Sequence, residues 1–212
     1  MYLSIEEARG LYADADSVHD FDHILRVLAL AERIARAEGA DLHVVRTAAL
    51  LHDWGRAEAQ SGGRNHADVA GEQAEGFLAS RGVPEAQIAA VVHAIVAHRF
   101  RADPHPQTLE AKALFDADKL DAIGAIGVAR AFAYGGGHNQ RLWAPRDVVD
   151  VERWERHGDD PGLHTAVHEF VVKLVRIKER LYTAEGRRIA ENRHRYMTAF
   201  FDRLDAEVRG EL

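Results

Sequence analysis

The sequence predicts an all-α fold, on three observations. Apolar residues recur at spacings of three and four in segment after segment, no stretch alternates apolar and polar residues as a half-buried strand would, and capping residues, glycines and prolines fall between the periodic runs. A chain of 212 residues that is 47% hydrophobic can bury one substantial core, and it contains no internal repeat. A single helical domain over residues 1–212 is therefore expected.

From about Asp22 to Ala37, Ile24, Val27, Leu28, Ala31, Ile34 and Ala35 keep the helical period, with His23 in the first turn and Gly39 as the stop. Asp41 can cap a second helix in which Leu42, Val45, Ala49, Leu50 and Leu51 lead to His52, Asp53, Trp54 and Gly55. So short a turn makes the two helices antiparallel and brings His23 toward His52. Residues 58–64 are polar and glycine-rich, and are expected to form a loop. Asn65 can cap a helix with Ala67, Ala70, Ala74, Phe77 and Leu78 inward and His66 in its first turn. Pro84 opens another, carrying Ile88, Val91, Val92, Ile95 and Val96 with His93 and His98, which Asp103–Pro104–His105–Pro106 ends.

Thr108 can cap a helix with Leu109, Leu114, Leu120 and Ile123 in its core and Asp116, Asp118 and Asp121 along its middle. Gly124 and Gly127 are costly in a helix unless another backbone packs against them, so a close helix contact is expected there. Residues 135–162 show no sustained period and mix glycines, Trp143, Trp154 and many charges, which predicts a long loop serving as a lid or binding element. Asp160 and Pro161 open a helix with Leu163, Val167, Phe170, Val171, Leu174 and Ile177, and a last helix carries Ile189, Tyr196, Met197, Phe200, Leu204 and Val208.

The formal charge of −7 and a pI near 6.0 argue against polymeric nucleic acid, whose phosphates require clustered Lys and Arg. A small anionic substrate needs only a local basic group. Cysteine is absent, which removes disulfides, thiolate chemistry and Cys-based zinc sites. Met1 to Glu7 lacks a basic lead and an apolar core, and no run approaches a membrane span, so a cytoplasmic protein without membrane contact is expected. Thirteen histidines are more than this length ordinarily carries.

The chemistry centres on His52 and Asp53, where an apolar helix ends in two metal-competent side chains backed by packing. The dipeptide alone means little, since His19–Asp20 repeats it. Its place before Gly55 carries more weight, together with His23 lying 29 residues upstream and Asp118 lying 65 downstream of Asp53. Helices converging on one point would present two imidazoles and two carboxylates, a set suited to a first-row divalent cation with positions left for water and substrate. The alternative from spacing alone is a set of buried or capping polar residues.

His23 with Arg26–Val27, the run Ala48–Ala49–Leu50–Leu51–His52–Asp53, and Asp116–Ala117–Asp118–Lys119–Leu120 resemble the H…HD…D pattern of the HD-domain superfamily of metal-dependent phosphohydrolases. The stretch from Asp116 to Arg130 and the Arg193–His194–Arg195–Tyr196–Met197 region resemble a narrower bacterial branch that includes nucleoside triphosphate pyrophosphohydrolases. The similarity runs from about Asp20 to the last helix and implies a single HD-type helical bundle.

The resemblance makes His23, His52, Asp53 and Asp118 the metal ligands, for Mn, Mg, Ni, Fe, Co or Zn. It implies hydrolysis of a small phosphorylated molecule, a nucleotide first, with triphosphate cleaved to monophosphate and pyrophosphate. Leaving-group charge would fall to Arg26, Arg56 and Lys119, whose other reading is solvated or ion-paired surface. Several relatives of this type hold a catalytic acid just after the His-Asp pair. Arg56 stands there in this chain, so Asp53, Glu58 and Asp121 all remain candidates for catalytic carboxylates, with Asp121 alternatively orienting a ligand or pairing with Lys119.

His66 and His98 can cap helices, bind phosphate or complete a second metal site bridged by Asp53; one ion is expected, because spacing does not aim either residue at Asp53. The competing functions are an HD-type di-iron oxygenase and a non-enzymatic nucleotide-binding module. A monomer or homodimer is expected.

Overall fold

The computed structural model describes residues 2–12, 21–99, 105–157 and 164–212. Among these the fold is all-α, with helices and no strand. The helices are α1 Ile5–Arg9, α2 Phe21–Glu38, α3 Leu42–Leu51, α4 Arg56–Gly62, α5 His66–Ser80, α6 Glu85–Val96, α7 Leu109–Asp121, α8 Gly124–Gly137, α9 Val151–His157, α10 Ala166–Val172 and α11 Ala184–Val208. Short 3-10 segments occupy Arg146–Val148 and Leu174–Arg180. No helix among the described residues is long and apolar enough to cross a membrane. The chain divides into two compact units, residues 1–118 with 181–186, and residues 119–180 with 187–212.

In the first unit α2 packs on α3, α3 on α6 and α5 on α6. The capping residues behave as their chemistry requires: Asp41 Oδ1 accepts from the amides of His43 and Val44, and Asn65 Oδ1 accepts from that of Ala67. Ile24, Ile34, Leu50, Leu51, Leu78, Ile95 and Leu114 are fully buried, each contributing about 1.5–3 kcal/mol of hydrophobic stabilisation. α1 was not anticipated from the apolar pattern. It starts from a capping box in which Ser4 and Glu7 bond each other's backbone amides.

Residues 58–64, expected as a loop, lie largely in α4, because Ala57, Glu58, Ala59 and Gln60 are strong helix formers that outweigh the glycines after them. The expected ending at Asp103–Pro104 and the expected helix start at Asp160–Pro161 lie outside the described residues, as does Leu163. α10 itself begins at Ala166, with Thr165 as the cap accepting from the amide of His168, and its pattern continues past Val172 as a 3-10 segment.

In the second unit Phe132, Phe170, Phe200 and Phe201 form an aromatic core, with Phe170 and Phe201 stacked at 4.3 Å. The expected close contact at Gly124 is present: its φ is +79° and a Cβ there would stand 3.0 Å from that of Arg193 on α11. Gly127 differs, since a Cβ there would strike the carbonyl of Ala122 in its own chain. The expected loop at 135–162 contains the end of α8, a 3-10 turn and α9. Trp143 Nε1 donates to Asp205 Oδ1 at 2.7 Å, and Arg146 pairs with Asp205 and Asp202, which fastens residues 143–146 to α11. Short helices of this kind carry too few turns to show a period.

Candidate metal centre

Every residue that builds the site in the first unit sits at a helix end or just beyond one. His23 is in the first turn of α2, His52 and Asp53 follow α3, Arg56 starts α4, His66 starts α5 and His98 follows α6. Asp118 is on α7. The amphipathic faces behind them fill the core, so the polar side chains converge at its edge. His23 is 1% exposed, His52 0%, Asp53 4% and His98 2%.

Asp53 is at the centre. Its Oδ2 faces His23 Nε2 at 3.8 Å and His52 Nε2 at 3.9 Å, while its Oδ1 faces His66 Nε2 at 3.6 Å and His98 Nε2 at 3.8 Å. Asp118 Oδ1 is 3.5 Å from His23 Nε2. The antiparallel turn does bring the rings of His23 and His52 together, at 5.5 Å between centroids.

Two tests decide whether these residues fit a cation. Metal–ligand bonds of about 2.1 Å spread over ordinary angles place donor atoms roughly 3.0–4.0 Å apart, and the separations here are of that size rather than hydrogen-bond length. The second test is tautomeric. His52 Nδ1 lies 2.8 Å from the carbonyl of Ala49, which can only accept, so Nδ1 carries the proton and Nε2 presents its lone pair inward. That Nε2 is buried and has no hydrogen-bond partner among the described residues. Burial also pushes the His52 pKa down, keeping the ring neutral as a ligand must be. The groups His23, His52 and Asp118, and His52, Asp53 and His98, could each hold a metal ion.

His98 repeats the arrangement, with Nδ1 against the carbonyl of Ile95 and Nε2 toward Asp53. Capping and site binding are thus not exclusive for these histidines: one ring nitrogen closes the helix and the other faces the centre. His66 is pushed down to about 4, chiefly by burial. Nothing in the sequence fixes His66 and His98 toward Asp53; the packing of α5 and α6 on each other and of α6 on α3 is what turns both toward Oδ1.

The surrounding charges are unequal. Burial would raise the Asp53 pKa, but the positive groups around it, the Arg56 guanidinium bonded to both oxygens among them, hold it well below the carboxylate range. Arg56 Nη1 reaches both its oxygens, at 2.9 and 3.0 Å. Arg26 is half-buried on α2, three residues beyond His23. Glu58 is exposed on α4 and accepts from Gln73 Nε2 at 2.9 Å. Lys119 and Asp121 belong to the second unit, where Asp121 is 1% exposed and paired with Arg130 at 2.8 Å. His93 Nε2 accepts from the amide of Gln107, a structural role.

Two residues escaped the sequence reading. Arg99 lies close enough for its charge to lower the His66 pKa, and its position next to His98 was the available signal. Tyr12 donates to the carbonyl of Leu50 at 2.9 Å, and burial together with the charge of Asp53 raises its pKa. A lone tyrosine ahead of α2 offered no pattern to find it by.

The HD domain family model matches residues 20–123. The protein YpgQ of Bacillus subtilis (strain 168) is 34% identical over 206 residues, covering 95% of this chain and 90% of that one. The crystal structure of B. subtilis YpgQ in complex with ADP is similar with a TM-score of 0.73 and 29% identity, over 98% of this chain and 99% of that one. A structure from an uncultured Thermotogales bacterium, described as a predicted HD superfamily hydrolase, is similar with a TM-score of 0.67 and 31% identity, over 96% and 90% of the two chains. Motif, helices and relatives agree, and this chain belongs to the HD-domain family.

Proposed function

We propose that the protein is a divalent-metal-dependent phosphohydrolase acting on a nucleotide, cleaving a triphosphate to monophosphate and pyrophosphate as in the pyrophosphohydrolase branch of the family. The observation that carries this reading is a buried carboxylate, Asp53, ringed by imidazole Nε2 atoms at 3.6–3.9 Å. A carboxylate and imidazole nitrogens so spaced are suited to a cation and its substrate. The ADP bound by YpgQ, similar over nearly the whole chain, supports a nucleotide as the substrate class.

His23, His52, Asp53 and Asp118 would hold one cation, manganese first among the candidates. When bound, such an ion lowers the pKa of water and polarises a phosphoryl oxygen. The remaining residues bind and orient. Arg56, partly exposed beside Asp53, would meet phosphate oxygens; His66 can donate or accept at the Oδ1 side, and His98, whose Nδ1 faces the carbonyl of Ile95, presents Nε2 there. Arg26 and Lys119 are the further phosphate-binding candidates. Among the candidate bases, Asp53 is in the donor cluster, while Glu58 bonds Gln73 and Asp121 bonds Arg130. Asp53 is therefore favoured for orienting the attacking water.

The test is a panel of nucleoside triphosphates, diphosphates and other phosphomonoesters with Mn, Mg, Ni, Fe, Co and Zn, reading phosphate and pyrophosphate separately. Metal-dependent release of pyrophosphate without phosphate is expected. Stepwise phosphate release, or no turnover with any metal, would reject the proposed reaction.

A further inference from the structure

Asp116 precedes Asp118 by two residues on α7, and at about 100° per residue the two side chains leave opposite faces of the helix. Asp118 points to His23. Asp116, fully buried, points to the segment 181–186 of the same unit. Its Oδ1 accepts from the amide of Tyr182 at 2.9 Å, and its Oδ2 accepts from the amide and hydroxyl of Thr183 at 2.8 and 2.6 Å. Thr183 Oγ1 in turn accepts from the amide of Gly186 at 3.0 Å, and a Cβ on Gly186 would collide with Asp116 Oδ2 and Thr183 Oγ1. The Tyr182 ring packs edge-on against Phe115 at 5.0 Å.

The same segment also grips α2. The amide of Glu185 donates to Glu38 Oε1 at 2.8 Å, and Arg33 Nε donates to Glu185 Oε1 at 2.8 Å. α2 thus meets α7 through His23 and Asp118 in its first turn, and is tied to α7 through residues 181–186 toward its last. Two helices joined at two separated points cannot roll past each other without breaking one of the joints.

We infer that residues 181–186 are a clip that sets the roll of α7 through Asp116, which makes Asp116 and Thr183 positioning residues for the cation site. This rests on the proposed ligand role of Asp118 and His23. A carboxylate presented from a helix reaches a cation shared with other helices only at one rotation of its own helix, and loss of the groups that orient a ligand typically costs about 10–100-fold in metal affinity.

The test is titration of the full chain with Mn2+ alone, following free Mn2+ by electron paramagnetic resonance, with thermal unfolding of each variant alongside. Thr183→Val keeps the shape and removes the hydroxyl, and Asp116→Asn turns one acceptor into a donor facing donors. Both are expected to weaken Mn2+ binding about ten-fold or more, whereas Thr183→Ser stays within about two-fold of wild type. Leu78→Ala, buried on α5, is the control that lowers the unfolding temperature and leaves affinity alone. Wild-type affinity in both clip variants, or an equal loss in Leu78→Ala, overturns the inference. Asp118→Ala separates the two levels of the argument: if it binds Mn2+ as wild type does, the ligand reading falls and the inference with it; if it loses Mn2+ while the clip variants do not, only the clip falls.

Discussion

Replacing Arg56 by methionine, which keeps the apolar stem and removes the charge, should separate the metal-free protein from the metal-bound one. In the metal-free chain Arg56 is the cation next to Asp53, with Nη1 at 2.9 and 3.0 Å from its two oxygens. A hydrogen bond to a charged group is worth about 1.5–3 kcal/mol, and the 26% exposure of Arg56 reduces this to about 1–2 kcal/mol. For a chain of this length that corresponds to a fall of about 2–8 °C in unfolding temperature. A bound divalent cation takes over the role, because it neutralises Asp53 and repels Arg56. The loss should therefore appear in EDTA and shrink under saturating Mn2+, and the Mn2+-induced rise in unfolding temperature should be larger in the variant than in wild type. The KM for a nucleoside triphosphate should rise. Circular dichroism melts of both proteins in both conditions are the assay. An equal fall in EDTA and in Mn2+, or loss of Mn2+ binding by the variant, would refute the reasoning.

Other expectations follow from single residues. Arg146→Ala should free residues 143–146 from Asp202 and Asp205 on α11 and destabilise by about 1 kcal/mol, read as a lower midpoint in urea; an unchanged midpoint would show that these ion pairs do not hold the segment. Gly124→Ala should destabilise by about 1–2 kcal/mol, read as a lower midpoint in urea, because alanine is strained at a φ of +79° and its Cβ meets Arg193; a neutral effect would contradict the contact. Glu7 accepts from Ser4 and Arg81, which lowers its pKa from 4.5 to about 2. A depressed folded-state pKa means its contribution is present above pH 4.5 and is lost as the pH falls toward 2, so Glu7→Gln should flatten the stability profile in that window and an unaltered profile would exclude the effect.

The helices that could be read were those whose signals are local. Asp41 and Asn65 cap where an acceptor precedes an apolar period, and α2 announces itself through Ile24, Val27, Leu28, Ala31 and Ile34. α4 was hidden because Gly62 and Gly63 drew attention from the helix formers before them. The Thr165 cap of α10 was passed over because several capping residues fall close together in this stretch and the sequence does not rank them. At the site, His52 and Asp53 stood out as polar residues ending an apolar helix. The aim of His66 and His98 did not, since it depends on how α3, α5 and α6 pack. Asp116 was visible as part of a motif, yet its bonds to Tyr182 and Thr183 span 66 and 67 residues, a separation that no periodicity records.

The central claim is that the donors around Asp53 hold one catalytic divalent cation. Metal analysis of protein dialysed against Mn2+, paired with turnover of a nucleoside triphosphate, tests it most directly. The account predicts about one equivalent in wild type, joint loss of metal and activity in His52→Ala and Asp53→Ala, and retained metal in His66→Ala and His98→Ala. Full occupancy and full turnover in either of the first two variants would contradict it, as would two equivalents in wild type with one lost in either of the last two.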